Sequence, residues 1–126
     1  MELALSHSVA WSDRASLPDR AGVYFIARGE PANTVYIGWT WGAKDIHHRI
    51  RMFHSSATTG HNDHAGGLTF YGVFDDDTAG LLVAVHLPDC VDPRPETQHP
   101  YIAYAKQRLI WKHVRVYGGL LVCNSE

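Results

Sequence analysis

The sequence predicts a small α/β chain of the α+β kind, with one central antiparallel or mixed β-sheet flanked by helices. Two short runs rich in β-branched and aromatic residues, 22–26 and 34–38, stand at hairpin distance from each other. Two later stretches, one after Asp45 and one after Pro100, repeat apolar residues every three or four positions as amphipathic helices do. With 126 residues, 45% of them apolar and 19% charged, the chain affords one packed core, and 1–126 reads as a single domain. The same composition excludes disorder, collagen and coiled coil.

Taken in order, Gly22-Val23-Tyr24-Phe25-Ile26 reads as a strand closed by Gly29, Pro31 and Asn33. Thr34-Val35-Tyr36-Ile37-Gly38 is its antiparallel partner, which brings Tyr24 near Tyr36. Asp45 caps a helix with Ile46, Ile50 and Phe53 on one face and His47, His48, Arg49 and Arg51 around the rest. Residues 55–67 are small, polar and glycine-bearing and read as a long loop. Residues 68–74 and 81–87 read as strands joined by the turn chemistry of DDDTAG. A Pro-rich link over 88–100 leads to a second helix from about Tyr101 to Tyr117, with Pro100 in its first turn and Gly118-Gly119 at its end. Trp111 joins Leu109 and Ile110 on the core side of that helix, and 120–123 forms a closing strand.

The longest apolar run, Ala79 to Val85 with glycine allowed, is far short of the ~18 residues of a membrane span. The amino end carries no lysine or arginine before its apolar residues, so the expected location is cytoplasmic, with no membrane partner. Cys90 and Cys123 have no metal-ligand spacing and read as free thiols. Net charge is −2, but its distribution is uneven. Between Tyr101 and Tyr117 lie Lys106, Arg108, Lys112 and Arg115 with no acid, whereas 75–96 holds Asp75, Asp76, Asp77, Asp89, Asp92 and Glu96 against Arg94. The basic element is either a solvated helix face or a phosphate-binding surface.

The tripeptides Gly22-Val23-Tyr24 and Tyr36-Ile37-Gly38, eleven residues apart, are followed by Ile46-x-x-Arg49, His54, the run Arg108-Leu109-Ile110-Trp111 and Asn124. In this order they resemble the GIY-YIG endonuclease family over roughly Pro18 to Asn124. The resemblance implies a GIY-YIG-like fold and a domain that hydrolyses DNA phosphodiester bonds with a divalent metal. It gives Tyr24, Tyr36, Arg49 and His54 as catalytic residues, and Gly22, Gly38 and Asn124 as structural ones. Such a reaction needs an activated water and neutralisation of charge on the phosphoryl oxygens. Tyr24 is the phenolate base in this scheme, its pKa of about 10 lowered by nearby cations. Arg49 supplies a permanently charged fork of donors to phosphate. Tyr36 and His54 complete the proton network, although His54 lies five residues beyond Arg49, where the family has four.

The family's metal ligand is a glutamate three residues before the leucine of its Leu-Ile pair, and here that position is Lys106. A charged ammonium offers no lone pair. It would also repel a dication by about 8 kcal/mol at about 4 Å with an effective dielectric near 20. The expectation is therefore Mg2+ or Mn2+ in a glutamate-bearing form, no metal at the usual place in this chain, and an endonuclease domain inactivated by Lys106. The other readings are a non-catalytic DNA-binding or partner-binding relative and a metal-independent phosphodiesterase. Arg51, His61, His64, Arg108 and Lys112 are the candidate DNA contacts, and a homodimer or a partner chain would let a single-site enzyme cut both strands. His47, His48, His54, His61 and His64 fall close together, so a zinc site is weighed against phosphate contacts or solvated side chains. Trp39 and Trp41 follow Gly38 and either stack on a base or shape the cleft.

Overall fold

The computed structural model describes residues 8–18, 20–40, 45–87, 94–119 and 121–124. Four strands, β1 (Val9–Ala10), β2 (Val23–Arg28), β3 (Thr34–Trp39) and β4 (Leu81–His86), form an antiparallel sheet in the order β1-β4-β2-β3. Three helices, α1 (Ile46–Thr59), α2 (Ala65–Phe74) and α3 (Pro95–Tyr117), cover it. Side chains alternate across a strand, so β2 serves both faces. Tyr24 and Ile26 meet Ile46, Ile50 and Phe53 of α1 and Phe70 of α2. Val23 and Ile37 meet Ile102, Ala105 and Leu109 of α3 on the other side. The fold is thus an α+β one, with its sheet between α1 and α2 on one face and α3 on the other. Among the described residues no helix is long and apolar enough to cross a membrane.

The hairpin forms as its residues dictate: Tyr24 pairs with Gly38 and Ile26 with Tyr36. A bulge then makes Ala27 the partner of Thr34 and leaves Val35 as the extra residue. Asp45 caps α1, its carboxylate accepting the His48 amide at 2.8 Å.

Several elements differ from the sequence expectation. The long loop over 55–67 shrinks to residues 60–64, because α1 runs on to Thr59 and α2 starts at Ala65. The polar residues at that helix end satisfy themselves internally: Thr58 and Thr59 donate to the carbonyls of His54 and Ser55 at 2.7 and 2.6 Å. Residues 68–74, expected as a strand, belong to α2, since a short apolar run does not by itself discriminate strand from buried helix. Pro95, not Pro100, opens α3. Pro100 lies inside the helix, where it has no N–H for the carbonyl one turn back.

Residues 121–124 form a turn and not a closing strand, and Leu120 lies outside the described residues, as do Trp41 and Cys90. The turn nonetheless completes the β3 edge. The Cys123 amide donates to the Val35 carbonyl at 2.8 Å. The Asn124 side chain accepts from the Ile37 amide and donates to the Ile37 carbonyl, both at 2.9 Å, as a neighbouring strand would. Trp111 is 61% exposed, so its expected core role is overturned: Leu109 points inward, and two residues on the helix has turned through about 200°.

Candidate functional site: two phenols, an arginine and a histidine

Tyr24 on β2 and Tyr36 on β3 lie on the same sheet face, with ring centroids 5.8 Å apart. Gly38 makes room for both. A Cβ added there would stand 2.5 Å from Tyr24 Cζ, 2.5 Å from Tyr36 Cε2 and 2.6 Å from the Tyr24 hydroxyl. Gly22 has a comparable role at the strand start, where a Cβ would stand 2.7 Å from the His86 carbonyl. Thr40 ties this end together, its amide donating to the Gly22 carbonyl at 2.8 Å and its hydroxyl accepting the Gly22 amide at 3.2 Å.

The histidine that meets these phenols is His64. It is 2% exposed, with its Nε2 2.9 Å from the Tyr24 hydroxyl and its ring edge-on to Tyr36 at 5.0 Å. As the N-cap of α2, its Nδ1 accepts the Gly67 amide at 3.2 Å. Nδ1 therefore carries no proton, so the neutral ring holds its proton on Nε2 and donates it to the Tyr24 oxygen. Ser56, fully buried on α1, fixes this turn by accepting the amides of Asp63 and His64 at 3.0 and 2.9 Å. Gly66 and Gly67 let α2 approach closely: a Cβ would stand 2.5 Å from the Tyr36 ring at the first and 2.6 Å from the Phe53 carbonyl at the second.

Arg49 completes the group from α1. It stands near the Tyr24 phenol, and its charge favours the phenolate. Burial nevertheless dominates and, with Tyr36, holds Tyr24 well above its ordinary value. Arg49 thus lowers this phenol as expected, but burial outweighs it. The neighbouring Tyr36 phenol raises it further. Burial, and then the Arg49 charge, push His64 down to about 3. Its neutral state follows from the geometry too, since a proton on Nδ1 would break the cap and sit at the positive end of α2.

The other candidates lie elsewhere. His54 is one residue past Phe53, about 100° round the helix, and it accepts the Trp11 indole N–H at 3.0 Å. Burial and Arg14 lower its pKa. His61 is exposed on the short loop. His64, expected as a loop contact for phosphate, spends both ring nitrogens inside the fold. Arg51 borders a cavity of about 330 Å³ with Ser12, Arg14, His47 and Ile50, away from Arg49 on the helix. Arg108 and Lys112 are exposed on α3. Lys106 is 3% exposed, with its ammonium 6.0 Å from the half-buried Trp39 ring, beside the α3 core and not in the Tyr24 cluster.

The described residues contain no group of three or more His, Cys, Asp or Glu side chains able to hold a metal. The histidine-rich segment disperses, with His47 on the Leu17 carbonyl, His54 on Trp11 and His64 on Tyr24. Sequence reasoning chose His54 over His64. The signal that favoured His64 was the Gly66-Gly67 pair, a mark of close backbone approach just behind it. The chain matches no protein-family model, no curated protein and no solved structure.

Proposed function

We propose that this chain is a GIY-YIG-type endonuclease domain acting on DNA that does not hydrolyse it as it stands, because Lys106, buried on the α3 side of the sheet, holds the place of the family's metal-binding glutamate. The observation that carries the reading is the convergence of Tyr24, Tyr36 and Arg49 over Gly38. These are the residue types that hold a phosphate oxygen and relay a proton. Arg49 binds and neutralises the phosphodiester, Tyr36 is the less buried of the two phenols, and His64 fixes Tyr24 from behind.

The residues do not fit a divalent cation. Lys106 replaces the carboxylate with a buried ammonium, and none of the described side chains supplies a substitute ligand set. Plasmid nicking with magnesium or manganese, run on this chain and on Lys106→Glu, tests the proposal. Cleavage by the glutamate form alone is expected. Cleavage by the parent in chelator, or loss of DNA binding at low salt in both forms, would refute it.

One observation favours a second reading, a DNA-binding domain without catalysis. Tyr24 is 0% exposed and held protonated, so no water reaches it as a base. Retained DNA binding with no nicking by either form would establish that reading instead.

A further inference from the structure

The exposed side of α3 carries a stripe that the Tyr24–Arg49 cluster does not use. Tyr104, Arg108, Trp111 and Arg115 recur at intervals of three and four, so they lie on one face, and Lys112 flanks them. Tyr104 is 53% and Trp111 61% exposed, while Arg108, Lys112 and Arg115 are exposed too. Arg108 reaches the Tyr104 hydroxyl at 3.5 Å. No Asp or Glu occurs from Thr97 to Asn124, so nothing along this element opposes an anion. Two large aromatic faces stand in water between cations, where a stacking partner would bury them.

We propose that this stripe binds single-stranded DNA, with bases stacked on Tyr104 and Trp111 and phosphates on Arg108, Lys112 and Arg115. Seven residues of helix separate the two rings by about 10 Å, or about three stacked nucleotide steps. A duplex hides its base faces, whereas a single strand offers them to any aromatic ring. The site is separate from Arg49. The α3 helix packs on the sheet face of Val23 and Ile37, and α1 packs on the face of Tyr24. Only the choice of DNA over RNA rests on the function proposed above.

The test is anisotropy of labelled oligo(dT) of about 20 nucleotides, titrated with the parent, Trp111→Ala, Trp111→Phe and Arg115→Gln. Trp111→Ala should bind at least about tenfold more weakly, whereas Trp111→Phe should stay within about threefold of the parent. The salt slope should be about −2 for three neutralised phosphates and shallower by about 0.7 in Arg115→Gln. Circular dichroism of the variants checks that each is folded.

Equal binding by Trp111→Ala would overturn the proposal. So would duplex DNA weakened by Trp111→Ala as much as oligo(dT) is, oligo(rU) bound more tightly, or a parent dimer in sedimentation that Trp111→Ala abolishes. The two proposals fail separately: nicking by Lys106→Glu reports on the nuclease reading, and oligonucleotide binding by Trp111→Ala reports on this surface.

Discussion

Replacing Gly38 by alanine should strongly destabilise the fold. The new Cβ would stand 2.5 to 2.6 Å from three atoms of Tyr24 and Tyr36, where ordinary contact is 3.4–4 Å. Neither ring can retreat. Tyr24 is held by His64 at 2.9 Å, and Tyr36 lies against Gly66, where even a Cβ would come within 2.5 Å. Overpacking a core costs about 1–3 kcal/mol, and displacing two buried rings belongs at about 3. For a chain of this length each kcal/mol moves Tm by about 4 °C, so a fall of about 12 °C is expected. Gly72→Ala is the matched control, because nothing lies within 4 Å of its Cβ and it sits exposed in α2. That substitution should stabilise by about 0.5–1 kcal/mol through helix propensity. Thermal melts and urea titrations followed by circular dichroism measure both. Equal Tm values for the two variants would refute the packing argument, and with it the account of why the two phenols can lie side by side.

Three further outcomes are expected. The folded pKa of His64, about 3, lies below its ordinary 6.5, so between these values the unfolded chain takes up a proton that the folded chain refuses. Stability is therefore complete above about pH 6.5 and falls towards pH 3 by up to about 1.4 kcal/mol per unit; urea titrations at several pH values should show this, and His64→Asn, which can still cap α2, should flatten it. His54 and His113, lowered by burial, should leave a shallower residual slope. Asn124→Asp should cost about 1–3 kcal/mol in urea unfolding and more than Asn124→Ala, because a carboxylate still accepts the Ile37 amide but meets the Ile37 carbonyl with like charge. Burial pushes the Cys123 thiol up to about 11, so in a Cys90→Ser background a thiol-titrating disulfide reagent at about pH 8 should react only after denaturant is added.

The hairpin, the first helix and its Asp45 cap were legible in the sequence because each is decided locally, by strand residues at hairpin spacing or by a carboxylate one residue before an apolar period. The nearness of Tyr24 and Tyr36 was legible for the same reason, whereas Arg49 was expected only from the resemblance to the GIY-YIG family. The identity of their histidine was not legible. His54 and His64 look alike in sequence, and only the packing of α2 on α1, permitted by Gly66 and Gly67, turns one toward Tyr24 and the other toward Trp11. The state of the Tyr24 phenol was also a tertiary matter, because a pKa depends on how much water the whole fold removes, and that quantity has no local signature. Residue types and order thus determined that two phenols share one sheet face, while the three-dimensional closure of the two layers decided which histidine joins them and how far burial shifts their ionisation.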